Sequence, residues 1–282
     1  ALIVSGMNLS FGYAGELALG QVAMYAAGAY TAGLISKGGQ TDLLVQLGAG
    51  ALVALLVGFI SGIPGLRLGG WSLAMTSFFL ILLVPDVLSL FKTDTGGRNG
   101  LSGIPKATLF GEPIDSEAYY IVILVVAILW FAIMRNLIVS RYGTALKVLK
   151  RSPVLAASIG ISVFRTKLSA YAIGAIPAGL AGVLFANLDR FISPEAFAFS
   201  FAMTVLAASI LGGPASVYGA VAGAFILQFG MNQSSTLQEW GLIFTGLFLL
   251  AGGVAFSGGL AGLARSLVRK VDIKAKAVIV HE

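Results

Sequence analysis

Long apolar runs, cut by short polar or glycine-rich breaks, organise this chain. Leu43–Ile63 carries no charge and is long enough to cross bilayer hydrocarbon as a helix, which takes about 20 apolar residues. Leu68–Phe91, Ala118–Met134 and Leu168–Leu188 read the same way. Val22–Ile35 follows a glycine-rich break, and Ala196–Leu211 and Val217–Met231 are short for spans, which predicts that these two are tilted or interrupted helices lining a path. Trp240–Ser257 is the last run, with Trp240 placed as an interfacial anchor. Ala1–Leu9 is too short to span and reads as the end of a first helix, so further chain is expected before Ala1. The sum is about nine hydrophobic segments. The fold class expected is all-α, a polytopic helical bundle forming a single transmembrane domain over residues 1–282.

Two breaks are rich in glycine. Asn8-Leu-Ser-Phe-Gly-Tyr-Ala-Gly-Glu-Leu-Ala-Leu-Gly20 separates the first run from the second, and Gly212-Gly-Pro-Ala-Ser-Val-Tyr-Gly219 separates two short runs. Irregular backbone at membrane depth needs cover from protein or from a water-filled cavity, so both are candidate path-lining elements. Ordinary close packing of small residues explains the same glycines equally well. Pro64-Gly65 and Arg67 read as a short loop. Gly174, Ala178, Gly179, Ala181 and Gly182 recur at three- and four-residue spacing, the pattern that lets helices approach closely.

The polar positions give sidedness. Arg135, Arg141, Lys147, Lys150, Arg151, Arg165 and Lys167 follow one another with no acidic residue between them. Each would cost about 3 kcal/mol at mid-bilayer, so this stretch lies outside the hydrocarbon, and the positive-inside rule puts it in the cytoplasm. Lys92–Glu117 mixes both signs, which fits an external loop over residues 92–118. The tail, residues 258–282 with Arg265, Arg269, Lys270, Lys274 and Lys276, falls on the cytoplasmic side with the first cluster. Within residues 140–160 apolar Leu146, Leu149, Val154 and Ala157 alternate with Lys147, Lys150 and Arg151. This predicts a short amphipathic helix broken or restarted near Pro153. Such a helix lies on anionic lipid or fills a groove on a soluble partner, and the pattern alone does not separate the two.

Composition narrows the chemistry. Charged residues make up 11% of the 282, against roughly 25% in a soluble domain. The net charge of +6 sits mainly on the two basic segments, so it reads as topology and not as a nucleic-acid footprint. There is no cysteine, and the single histidine is His281. No acidic metal cluster, no nucleophile–base pair and no Walker motif is present, so neither a metal nor a cofactor is expected on this chain. Ionisable residues in or beside spans are functional candidates; Glu16 and Asp86 qualify, with Asp86 expected at an interface. With the polar Asn8, Tyr13, Gln21, Ser72, Thr76 and Asn187, Glu16 makes up the candidate translocation path.

Six stretches resemble one family. Gly143-Thr-Ala-Leu-Lys-Val-Leu-Lys-Arg-Ser-Pro-Val-Leu-Ala-Ala-Ser-Ile-Gly160 with Lys167–Gly182 is similar to the permease subunits of branched-chain amino-acid ABC transporters. So are Asn8–Tyr30, Leu66-Arg-Leu-Gly-Gly-Trp-Ser-Leu-Ala-Met75 with Thr95-Gly-Gly-Arg-Asn-Gly-Leu-Ser-Gly-Ile-Pro105, and the Gly212–Gly219 turn. Where that family usually has an amide, this chain has Glu16. The resemblance implies a coupling helix in residues 140–160 that docks on an ATPase. Arg141, Lys147, Lys150 and Arg151 would meet its acidic groups, and Leu146, Leu149, Val154 and Ala157 would fill its groove. Gly143 and Gly160 would set the entry and exit turns. It also implies a second, homologous permease, two ATPase subunits carrying ATP and Mg, and an extracytoplasmic binding protein received by the external loop. Location in a bacterial inner membrane, against lipid and with no nucleic acid, follows. The rival reading is an ion-coupled secondary transporter or channel; a urea, carboxylate or sugar importer permease shares the architecture.

Overall fold

The computed structural model describes residues 1–68, 71–109 and 111–232, together with Gly246 and Gly262. The expected span Trp240–Ser257 and the basic tail lie outside the described residues. Among the described residues, eleven α-helices follow in order: α1 (Leu2–Met7), α2 (Gln21–Lys37), α3 (Leu43–Arg67), α4 (Ser72–Leu90), α5 (Lys92–Thr95), α6 (Ser116–Val139), α7 (Arg141–Arg151), α8 (Pro153–Ser158), α9 (Val163–Asp189), α10 (Phe199–Gly212) and α11 (Val217–Asn232). Four of them, α3, α4, α6 and α9, are long and apolar enough to cross a membrane. The flanks of α3, α4 and α6 are largely exposed, with side chains such as Ile60, Phe79 and Leu124 turned outward. That is the pattern of helices whose outer surface meets lipid or another apolar surface rather than water.

Helix α9 is the axis. It packs against α2, α3 and α1, and most of its apolar length is buried. The small residues seen in sequence explain how neighbours come so near. A Cβ added at Gly28 on α2 would lie 2.3 Å from the Gly179 carbonyl oxygen on α9, and one added at Gly179 would lie 2.6 Å from the Gly50 carbonyl on α3. Three helices therefore cross where three glycines meet. In lipid, where apolar burial gives no preference for protein over solvent, such backbone proximity supplies the packing energy.

The two ends of the bundle differ. At one end, three loops are knitted together. Leu101–Ser102 (β1) pairs antiparallel with Phe191–Ile192 (β4), and Thr108–Leu109 (β2) with Glu112–Pro113 (β3). The Thr108 amide donates to the Thr41 carbonyl at 2.8 Å. At the opposite end sit the last turn of α3, the first turn of α4, the basic helix α7 and the apolar helix α8. The parity expected from the sequence places the same loops together.

Several element boundaries differ from expectation. Pro64 does not open a loop: α3 runs through it to Arg67. A proline in a membrane helix is accommodated because neighbours re-satisfy the freed backbone. Helix α9 begins at Val163, ahead of the apolar run, so Arg165 and Lys167 are helical. Hydropathy marks where hydrocarbon starts, and a helix has no reason to stop there.

Candidate functional site

The break after α1 is the most unusual piece of backbone. Asn8–Tyr13 continues α1 as a wider π-type turn, and the chain then leaves the helix at Ala14. Gly15 takes a left-handed conformation (φ 77°), and α2 starts at Gln21. π-Turns of this kind concentrate at functional sites. This joint meets the second glycine-rich break. A Cβ on Gly12 would fall 1.6 Å from the Pro214 carbonyl oxygen, so the two backbones touch and no side chain fits between them. Asn8, fully buried, ties the same pair together: its Nδ2 donates to the Ser216 carbonyl at 3.1 Å, and its Oδ1 accepts from Ser209 Oγ at 2.6 Å. Helix α10 has 14 residues, about 21 Å of rise, against roughly 30 Å of hydrocarbon. The Gly213–Ser216 turn therefore stops short of a full crossing and is covered by the π-turn, as irregular backbone at depth requires.

Helices α7 and α8 lie against this joint. Ser140 precedes α7, and Ser152 separates the two helices with φ −156°, accepting from the Leu155 amide at 3.2 Å. Pro153 then occupies the first position of α8, where its missing N–H costs nothing. Gly143 comes so close to α6 that a Cβ would lie 2.1 Å from the Ile138 carbonyl oxygen, and Gly160 ends α8 with φ 83°. The apolar residues of this arm divide between two directions. Leu146 and Leu149 are 0% and 1% exposed and face the chain's own bundle, which corrects the expectation that they fill a partner's groove. Val154 is 80% exposed, with Leu155 and Ile159 beside it at 54% and 60%; Ala157 is exposed too. Arg141, Lys147, Lys150 and Arg151 are exposed. An amphipathic helix satisfied by its own protein cannot also offer that face outward, so α8 carries the free apolar surface.

Two lysines reach the joint. Lys150 donates from Nζ to the Gly12 carbonyl at 2.6 Å, and partial burial pushes its pKa down by desolvation. Lys167, on α9, forms an ion pair with Glu16, and both side chains are mostly buried, at 17% and 18% exposure. Tyr142 on α7 bonds Ser169 on α9 at 2.8 Å, although either hydroxyl is the possible donor. A cleft of about 660 Å³ opens between α7 and the joint, lined by Gly12, Tyr13, Lys147, Lys150 and Arg151 among others. A second hollow, about 420 Å³, lies on the joint's other flank, lined by Phe11, Gly15, Glu16, Leu17, Trp71 and Ala74.

The remaining sequence candidates are scattered. Gln21 is buried between α1 and α9, and neither amide atom has a hydrogen-bond partner among the described residues. Ser72 and Thr76 are half-buried on α4, Thr76 toward Gly65 of α3. Asn187 lies at the far end of α9, bonded to Gln46 Oε1 at 2.7 Å, and Gln46 in turn donates to Ser36 at 2.8 Å. Asp86 is exposed near the end of α4, as expected of an interfacial carboxylate. The structure thus brings Asn8, Tyr13 and Glu16 to one joint and leaves Asn187 in a separate network that pins helix ends. Sequence reasoning missed Ser209, Ser216, Ser77 and Lys167 as partners of the joint; Ser77 accepts from the Leu19 amide at 3.0 Å. It missed Gln46 in the Asn187 network as well, although a polar residue inside an uncharged span is a local signal.

Residues 1–252 match the family described as branched-chain amino acid transport system / permease component. The chain is 33% identical over 266 residues to the high-affinity branched-chain amino acid transport system permease protein LivM of Escherichia coli (strain K12), covering 86% of this chain and 62% of LivM. Against LivH of the same organism identity is 26% over 255 residues, 83% of this chain and 81% of LivH. Against the fructose import permease protein FrcC of Rhizobium meliloti it is 23% over 226 residues, 74% of this chain and 60% of FrcC. The chain thus spans about three-fifths of the length of LivM. No solved structure matches it. With four helices able to cross a membrane, it is a multi-pass membrane protein. The chain belongs to the branched-chain amino acid transport system permease family.

Proposed function

We propose that this chain is the permease subunit of an ATP-driven importer that takes branched-chain amino acids, or a related small polar metabolite, from an extracytoplasmic binding protein. The observation that carries the reading is the α7–α8 arm. It stands at the end of the bundle richest in cations, shows Arg141, Lys147 and Arg151 on its surface, and offers Val154, Leu155 and Ile159 as an apolar patch that no other described residue covers. That surface suits a soluble ATPase better than bulk lipid, because charge and apolar area alternate over a short, ordered ridge. By the positive-inside rule this end faces the cytoplasm. ATP and Mg then belong to two ATPase subunits, and the exposed flanks of α3, α4 and α6 serve lipid and a second, homologous permease. A bacterial inner membrane is the setting that these partners require. The knitted external loops provide a rigid landing surface for the binding protein.

The ion-coupled alternative needs an ionisable group inside the membrane that is free to load and unload a proton. Glu16 was the leading candidate, and it is held in an ion pair with Lys167 at the basic end. The deciding experiment is reconstitution of the chain with its co-expressed partners in liposomes. Uptake of radiolabelled leucine should require internal ATP and be indifferent to an imposed proton gradient. Uptake driven by the gradient alone, with ATP absent, would overturn the reading.

A further inference from the structure

We propose that Lys150 and Lys167 form a two-point clasp that carries movement of the α7–α8 arm to the joint between α1 and α2, and through it to the Gly213–Ser216 turn. Both act as positioning residues. The inference rests on the importer reading for what moves the arm, but the clasp itself is a property of this chain.

Three observations converge. First, the two lysines take hold at the two ends of one short stretch: Lys150 at the Gly12 carbonyl and Lys167 at the Glu16 carboxylate. Gly12 lies in the last turn before the helix ends, where carbonyl groups lose their helical partners and a cation is favoured. The stretch between the two anchors is the segment where the backbone stops being helical. Second, the lysines come from different elements, α7 and α9, which are themselves linked through Tyr142 and Ser169. A shift of the arm relative to α9 therefore changes the two anchors unequally and twists what lies between. Third, the joint has room to respond. A cleft opens on one flank and a hollow on the other, while Gly12 rests directly on Pro214 and Asn8 reaches Ser209 and Ser216. Motion at Gly12 is thereby delivered to the second break with no intervening side chain to absorb it.

Among the described residues at the basic end, Glu16 is the carboxylate set among Arg67, Arg135, Arg141, Lys147, Lys150, Arg151, Arg165 and Lys167. Pairing with Lys167 rather than with an exposed neighbour fixes where the loop sits. The clasp also separates the work within the arm: Arg141, Lys147 and Arg151 are left for the partner, while Lys150, though exposed along its length, bonds the joint through Nζ.

The test uses the full chain with Ser216→Cys as a reporter, since the natural sequence has no cysteine. The rate of labelling by a small methanethiosulfonate reagent is compared in the reporter alone, with Lys150→Met, with Glu16→Lys, with Lys167→Glu and with the Glu16→Lys/Lys167→Glu exchange. A clasp raises the rate roughly fivefold or more in each single variant, and the exchange brings it back toward the reporter alone. In the assembled importer, Lys150→Met should keep ATPase binding and ATP hydrolysis while solute moved per ATP falls by a similar factor. Unchanged labelling in all singles, or an exchange no better than its singles, overturns the clasp. So does a Lys150→Met variant whose only defect is weaker ATPase binding, because that marks Lys150 as a docking contact. Failure of the importer reading looks different: the unaltered chain then binds no ATPase, while the labelling arm still decides the clasp.

Discussion

Replacing Gly28 by alanine should loosen the centre of the bundle, and the structure sets the size of the effect. The new methyl would lie 2.3 Å from the Gly179 carbonyl oxygen, 2.7 Å from its Cα and 2.8 Å from its carbonyl carbon. Comfortable heavy-atom contact begins near 3.5 Å, so α2 and α9 must separate by about 1 Å. They cannot do so freely, because Gly179 is already seated against the Gly50 carbonyl of α3. Forcing extra atoms into such a contact costs about 1–3 kcal/mol. Near the transition that corresponds to roughly 2–4 °C in Tm for each kcal/mol. Gly48→Ala supplies the control. It makes the same chemical change on the same kind of helix, but nothing lies within 4 Å of the added carbon. Its effect should stay within about 0.5 kcal/mol. Thermal unfolding of the purified full chain in one detergent, followed by intrinsic fluorescence and by monodispersity, separates the two. If Gly28→Ala melts together with Gly48→Ala and the unaltered chain, the glycine crossing does not hold the bundle.

Other expectations are as direct. Leu149→Asp puts an unpaired carboxylate at a fully buried position and should abolish the folded monomer, whereas Val154→Asp should leave Tm unchanged and remove ATPase binding; co-purification and melting read both. Gln21 buries an amide with no partner among the described residues, so Gln21→Leu should raise Tm, by about 1–3 kcal/mol of relieved desolvation, while leucine uptake falls if that amide meets solute. A Gln21→Leu chain with full uptake would assign the amide to packing alone.

The spans were legible because hydrocarbon imposes a simple demand: long uncharged runs, with cations left on one side. α3, α4, α6 and α9 follow from that demand. Their ends were less legible, since a helix such as α9 continues past the apolar run through Arg165 and Lys167, and α3 tolerates Pro64. The serine-and-proline break at 152–153 could be read locally, because capping is a local property. The joint could be suspected from its glycines, but not its partners. Lys150 meets Gly12 across 138 positions of sequence, and Lys167 meets Glu16 across 151. Nothing in the sequence near either lysine distinguishes it from Lys147. The direction of Leu146 and Leu149 was hidden for a related reason: an amphipathic stripe says that one face will be buried, and not which protein buries it.

The central claim, that the α7–α8 arm lies in the cytoplasm and seats an ATPase, is tested most directly by a single cysteine at Val154. The account expects a membrane-impermeant maleimide to label Val154→Cys in inside-out vesicles, to leave it untouched in right-side-out ones, and to be blocked when the ATPase subunits are added. Labelling from the outer face, or a rate that the ATPase subunits do not change, would contradict it.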